Sequence, residues 1–375
     1  MKAWVIKEAD ILLPFFVLTL AGSACGRRAE LSQLDPDVPF ISPEPEYEDW
    51  REVLEAGEPR FFGVEEPADH PLLWIHPVHM TPGPENGVIV LEDRLVDIKL
   101  VHPEEGVITA YGKGMGSGPG EFRDTFSSVW APGTGILVAD GPNQRITVFT
   151  EAGEYVRDIH PEITCHTLAY SGGYLWSSTM VSNVIDRAYI IDIETGKALK
   201  EVGGRYSDAS WAESFLSRCS LAGSSHGILM TVQYPYEVHA YEPDGDLKGI
   251  FGRKAKWLGP PEEIDLGTYG STYSPRGGMV GDVATFPDGT IIVSIFKTEQ
   301  IGTFTGGLPK MQSTKFYDLF RQDGEWLTTV PGEDLLPGHT IGCWTIATDG
   351  SFWGFVSGDY PRIVRVPLHF NPDLF

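Results

Sequence analysis

Asp140, Asn143 and Arg145 stand within six residues of one another and offer a carboxylate, an amide and a guanidinium, the groups from which a polar binding or acid–base site is built. In a tight connection between strands, Asp and Asn more commonly cap local backbone groups and Arg pairs nearby, so the structural reading is favoured at these positions. The Asp-Gly pairs at 244, 288, 323 and 349 would each suggest calcium, yet none carries the spaced run of oxygen ligands that an EF-hand-like loop needs. Hairpin turns explain them. Ten histidines are scattered without an H-E-x-x-H pair or a close cluster, so a zinc site would have to be assembled from separate segments, with His166 and His226 as candidates. No G-x-S-x-G nucleophile motif occurs, and no catalytic residue or metal ligand is assigned from the sequence.

Four cysteines carry the remaining chemistry. Cys165, Cys219 and Cys343 have two readings: Cys165 and Cys219 bridge neighbouring units in an oxidising compartment, or all three are small buried apolar side chains. Cys25 is different because of what precedes it. Lys2 and Lys7 lead into an almost uncharged run of 14 residues, Ile11 to Ala24, too short to span a bilayer and interrupted by Pro14. It reads as the apolar region of a signal peptide. Gly22, Ser23 and Ala24 then run directly into Cys25, an arrangement that resembles a bacterial lipobox, which implies lipidation of the Cys25 thiol. An ordinary cleaved signal and an uncleaved anchor are the alternatives, and export is common to the first two. From Glu30 to His70 the chain holds 13 acidic residues and several prolines with little apolar periodicity, a composition that suits a tether. The expected organisation is a signal peptide over 1–25, an acidic tether over 26–70 and a folded domain over 71–375.

The elements that would position these groups follow from a repeat. Asp and Glu number 52 against 28 Lys and Arg, a net charge of -24 that repels polyphosphate and excludes nucleic acid as a partner. Gly (43) and Pro (28) are abundant, and 42% of residues are hydrophobic, enough for a large core with many turns. Past Pro71 a Gly-containing turn recurs before a short run of β-branched or aromatic residues, at Gly87, Gly135, Gly173, Gly227, Gly289 and Gly350. These glycines are 48, 38, 54, 62 and 61 residues apart, the spacing of four-stranded units with insertions. A second turn lies inside five of the units, at Gly106, Gly153, Gly196, Gly245 and Gly324, so each unit is an up-and-down meander of four strands. The sixth lacks the second turn and is one strand short. Leu72-Leu73-Trp74-Ile75, ahead of the first full unit, is expected to supply the missing strand and close a ring without an exposed edge.

The glycine-rich run Gly112-Lys113-Gly114-Met115-Gly116-Ser117-Gly118-Pro119-Gly120-Glu121-Phe122, with Val138-Ala139-Asp140 and Asn143-Gln144-Arg145-Ile146-Thr147-Val148-Phe149, resembles the repeat of NHL-type propellers, including bacterial lipoproteins of that architecture. The strong match covers about a tenth of the chain. The resemblance implies an all-β fold, a six-bladed β-propeller of four-stranded antiparallel blades closed by an N-terminal strand. The glycines are not a phosphate loop, because neither the G-x-x-x-x-G-K-[ST] spacing nor a strand-to-helix context is present.

In such a meander the short Gly turns lie on one face, and the loops between blades and between second and third strands lie on the other. The opposite face therefore receives the insertions at 205–218, 253–280 and 297–313, and long loops over a rigid scaffold are where recognition tends to reside. These loops and the neighbouring turn carry Trp211, Tyr234, Tyr236, Trp257, Tyr273, Arg276 and Lys310, aromatics and cations suited to a protein, peptide or glycan ligand. The same aromatics would equally serve to pack the loops onto the propeller. The expected function is thus an exported binding or scaffold module, tethered to the membrane of the cell envelope through Cys25 and free of cofactor. The alternative is a propeller enzyme, a metal-dependent lactonase, hydrolase or lyase with calcium or zinc in its central channel, which rests on fold analogy.

Overall fold

The computed structural model describes residues 39–63, 74, 76–93, 97–179, 181–182, 187–203, 216–217, 219–232, 235–265, 271–303, 309–358 and 360–374. Each repeated glycine turn joins the first and second strands of a four-stranded antiparallel sheet, and six such sheets form a ring. Blade 1 comprises Pro77–Pro82, Val88–Glu92, Asp97–His102 and Gly106–Tyr111. Blade 2 comprises Thr125–Ala131, Gly135–Asp140, Arg145–Phe149 and Tyr155–Ile159. Blade 3 comprises Leu168–Ser171, Tyr174–Ser178, Arg187–Ile191 and Ala198–Gly203. Blade 4 comprises Cys219–Ser224, Gly227–Val232, Glu237–Tyr241 and Leu247–Arg253. Blade 5 comprises Gly278–Thr285, Ile291–Thr303, Pro309–Phe320 and Trp326–Pro331. Blade 6 contributes Thr340–Ile346, Phe352–Ser357 and Arg362–Val366. The first strands touch one another in sequence around the axis, and Thr340–Ile346 returns to Pro77–Pro82. The protein is a six-bladed β-propeller.

The second strands show why the sequence folds this way. A blade is covered on both faces by its neighbours, so its central strands read as continuous apolar runs rather than as alternating ones. Val88 and Val90 pack towards blade 6 with Trp353 and Phe355, while Ile89 and Leu91 pack towards blade 2 with Ile136 and Val138. One apolar cluster fills each of the six spaces between consecutive blades. Each fully buried Val, Leu or Ile contributes roughly 1.5–3 kcal/mol relative to exposure. The turns are equally constrained. Gly135 and Gly227 occupy the same place in blades 2 and 4 with φ of 122° and 123°, and a Cβ there would lie 2.0 Å from the Phe149 carbonyl oxygen and 2.1 Å from that of Tyr241. Glycine is required at both by conformation and by the close approach of the third strand.

Closure is N-terminal, but by a different segment from the one expected. Arg60–Phe62 pairs antiparallel with Arg362–Val366 and becomes the fourth strand of blade 6. Trp74, expected within the closing strand, is instead a buried plug whose indole N–H donates to the Phe62 carbonyl at 3.2 Å. The closing strand thus comes from the stretch read as tether, and more of that stretch is structured. Phe40–Ser42 runs parallel to Leu247–Arg253 on the outer edge of blade 4. Glu46 and Tyr47 donate their amides to the Trp326 and Leu327 carbonyls of blade 5. Leu54–Ala56 then pairs with Leu368–Phe370. Residues 39–63 therefore form a strap across the outer strands of blades 4, 5 and 6. Its acidic composition concealed this because only single residues at intervals, among them Trp50, Val53, Leu54 and Phe62, are buried.

Candidate functional site

The two ends of the propeller differ. One carries the short turns, whose Asp residues are occupied with their own backbone: Asp288 accepts from the Thr290 amide at 2.9 Å, Asp323 from Glu325 at 3.1 Å and Asp349 from Ser351 at 2.9 Å. They act as turn caps, as the sequence suggested. The other end carries the insertions. Gly259–Asp265 and Ser271–Arg276 form a two-stranded hairpin between blades 4 and 5. The hairpin of Ile291–Thr303 and Pro309–Phe320 continues past its own blade, from Thr298 paired with Ser313 to Thr303 paired with Pro309, where neither flanking strand accompanies it. Glu299, Gln300, Ile301, Gly302 and Thr303 are exposed along this second arm, and Ile301 stands 51% exposed. A third small pairing, Val181–Ser182 with Leu216–Ser217, joins two more loops of the same end.

The expected contact residues separate into three groups. Trp211, Tyr234 and Cys25 lie outside the described residues. Tyr273, Arg276 and Lys310 fall on the arms: the first two in strand Ser271–Arg276, and exposed Lys310 opposite Gly302. Tyr236 and Trp257 belong to the packing between blades 4 and 5. Tyr236 is 4% exposed, and its hydroxyl donates to Asp318 at 2.5 Å, beside the Arg253 guanidinium that also reaches Asp318. Burial and the Asp318 charge raise the Tyr236 pKa well above the usual range. Trp257 is half-buried against the same core, and its backbone faces Gly277. Tyr236 is therefore a core residue rather than a contact residue. A Gln-Tyr-Pro-Tyr turn could not reveal which of its rings points inward.

The polar trio in blade 2 is structural. Asn143 donates to Asp140 at 2.6 Å and to the Gly116 carbonyl at 3.0 Å. Arg145 pairs with Asp158 at 2.9 Å and donates to the carbonyls of Ser117, Gly118 and Glu121, so the glycine-rich run is lashed down by one guanidinium. None of the three cysteines in the described residues is in a disulfide. Cys165 lies in the core between blades 2 and 3 and Cys219 in that between blades 3 and 4, and no bridge joins them. Burial pushes the Cys165 thiol up to about 11, which makes it a poor nucleophile. His166, just before the inner strand Leu168–Ser171, lies tilted against Phe126 with ring centroids 5.3 Å apart, whereas His226 sits at the short-turn end of blade 4. The pair does not share a site. Among the described residues no three His, Cys, Asp or Glu side chains converge as metal ligands.

The arrangement that sequence reading missed lies at the axis. In blades 1, 2, 5 and 6 the inner strand is bulged at one level, at Val78, Phe126, Gly281-Asp282 and Gly342-Cys343, towards the end that bears the arms. A bulge re-aims side chains that regular pairing would hold between sheets. Hydrogen bonds then link the inner strands laterally. The Ser127 hydroxyl meets His79 Nε2 at 3.3 Å and accepts from the Leu168 amide at 2.9 Å. Thr167 donates to the Cys219 carbonyl, and Ser220 donates to Asp282 at 2.9 Å. Burial lowers His79 to about 4, while the charge of Asp282 opposes the shift. Repeat letters give no sign of this, because the level of each bulge is set by pairing with the second strand.

Fold and site together define a six-bladed propeller with one plain end and one elaborated end. No family model and no curated protein matches the sequence. Among solved structures, the chain is similar to a member of the DUF4221 family from Bacteroides vulgatus, with 10% identity and a TM-score of 0.61 over 85% of this chain and 99% of that one. It is similar also to a protein assigned as exported from Bacteroides fragilis, with 9% identity and a TM-score of 0.57 over 88% and 99% of the two chains. A virginiamycin B lyase from Staphylococcus aureus aligns at 12% identity and a TM-score of 0.46 over 82% and 98%. At these identities the likeness concerns the propeller fold alone.

Proposed function

We propose that this chain is an exported, lipid-anchored binding propeller that recognises a partner protein or peptide with the face bearing its β-arms. The observation that carries the reading is the placement of the two arms, 259–276 and 298–313, on one end of a rigid ring whose other end is closed by short turns. Both arms leave backbone donors and acceptors along open strand edges, which suit the addition of an extended peptide strand. Export and anchoring are supported by the apolar run ending at Cys25. Among the described residues no helix is long and apolar enough to cross a membrane.

Photo-crosslinking amino acids placed at Gln300 and Ile301, and separately at Thr134 and Asp288 on the short-turn end, test the reading in whole cells. Discrete adducts from the arm positions alone are expected. Equal adducts from both ends, or none from the arms, would reject it. Cys25→Ala is expected to abolish lipid labelling and release the protein from membranes without altering the arm adducts, so the anchor and the binding face are tested apart.

A further inference from the structure

The chain joins the propeller on the outer edge of blade 4, and that edge differs in chemistry from the rest of an acidic protein. Phe40–Ser42 runs parallel to Leu247–Arg253, with Phe40 opposite Phe251 and Ser42 opposite Arg253, and the Lys254 amide donates to the Ser42 carbonyl at 3.1 Å. The added strand is the outermost of five in its sheet, so one of its edges is open. Phe40 and Ile41, adjacent in sequence, are 42% and 41% exposed. Lys254 and Lys256 are exposed beyond the end of the strand, whereas Arg253 is turned inward to Asp318. Pro39 to Pro43 carries no charge, and Gly249 to Leu258 carries three cations and no acid, in a chain with 52 acidic residues.

What covers this edge follows from where the preceding chain is held, a step that rests on the anchoring at Cys25 proposed above. Thirteen residues separate Cys25 from Pro39. Such a segment reaches at most about 50 Å when fully extended and about 20 Å as a flexible coil, whereas a domain of this size is about 50 Å across. The outer edge of blade 4 is therefore held closer to the bilayer than the opposite rim. A phospholipid surface supplies what the edge lacks: an apolar boundary for Phe40 and Ile41, and phosphates for the two ammonium groups. The lysine stems can lie along the same apolar layer while their heads stay in water. A second copy of the chain fits less well, because pairing through a three-residue strand buries far less than the roughly 800 Å² per partner of a stable interface.

We propose that the outer edge of blade 4 docks on the phospholipid surface that carries the anchor, through Phe40, Ile41, Lys254 and Lys256. The propeller axis then lies along the membrane plane, and neither end of the ring is turned into the bilayer.

The test uses the full lipidated chain in vesicles of phosphatidylethanolamine and phosphatidylglycerol, with an environment-sensitive fluorescent amino acid placed at Ile41 and, separately, at Val156 and Leu199. The last two are exposed on the outer strands of blades 2 and 3. Acyl chains brominated near the headgroup are expected to quench the reporter at 41 and shift its emission to the blue, leaving 156 and 199 unaffected. Lys254→Glu combined with Lys256→Glu leaves the strand untouched and is expected to remove most of the quenching at 41, since each lysine near an anionic surface favours docking roughly fivefold. Equal quenching at all three positions, or none at 41 in protein that sediments with the vesicles, would overturn docking and leave the anchor in place. A blue shift at 41 that rises with protein concentration in detergent, without vesicles, would assign the edge to a second copy and overturn docking too. Undiminished sedimentation of Cys25→Ala would reject the anchor, and quenching at 41 in that variant would support docking on its own.

Discussion

Arg145 and Asp158 form a 2.9 Å ion pair across adjacent strands of blade 2, and the same guanidinium reaches three carbonyls of the glycine-rich run that enters the blade. Arg145 is 6% exposed, so its charge is stabilised by these partners rather than by water. The pair thus explains a local sequence pattern: glycines give the loop its turns, and the arginine fixes the loop against the sheet.

Arg145→Ala is expected to destabilise the protein by about 3–5 kcal/mol, because it leaves Asp158 short of its partner and the Ser117 and Glu121 carbonyls without a side-chain donor, while Gly118 keeps the Glu121 amide. Arg145→Lys keeps the charge but loses the planar fork, and most of that loss should remain. Urea denaturation of both variants checks this. A Lys variant as stable as the wild type would show that charge, not bidentate geometry, holds the loop.

Tyr236 should behave as a core residue. Tyr236→Ala is expected to cost about 3–5 kcal/mol through the cavity left between blades 4 and 5. Tyr236→Phe should cost about 1–2 kcal/mol, since Asp318 retains Arg253 and Thr329 as donors. Arm crosslinking should be unchanged in the Phe variant. A Phe variant of full stability that loses its adducts would restore Tyr236 to the binding face.

His79 makes stability depend on pH. Burial holds its folded value at about 4, below its ordinary 6.5, so between these values the unfolded chain binds more protons than the native one. Stability therefore falls as pH drops through that window, by at most ~1.4 kcal/mol per pH unit, and levels off below it. Denaturation of wild type and His79→Gln across the window should show the steeper loss in the wild type. Parallel slopes would mean that His79 is solvated.

Much of the architecture was legible residue by residue. Asn86-Gly87 through Asp349-Gly350 marked all six inner turns, since only a few residue types tolerate such turns and each is fixed by neighbours in sequence. The apolar runs after them marked the second strands, which are buried on both faces. A missing strand in the sixth unit foretold closure from the N-terminal side. Which segment closes was not legible, because a three-residue edge strand such as Arg60–Phe62 has no periodicity of its own and is chosen by its fit to Arg362–Val366.

The sequence by itself determined a propeller of six units with long insertions on one end, because turn chemistry and double-sided burial are local and repeat. Tertiary structure alone decided the use of individual side chains. Tyr236 turns inward because Asp318 waits for its hydroxyl in the next blade. Ser220 of blade 4 and Asp282 of blade 5, 62 residues apart, meet at 2.9 Å because the ring sets their inner strands side by side.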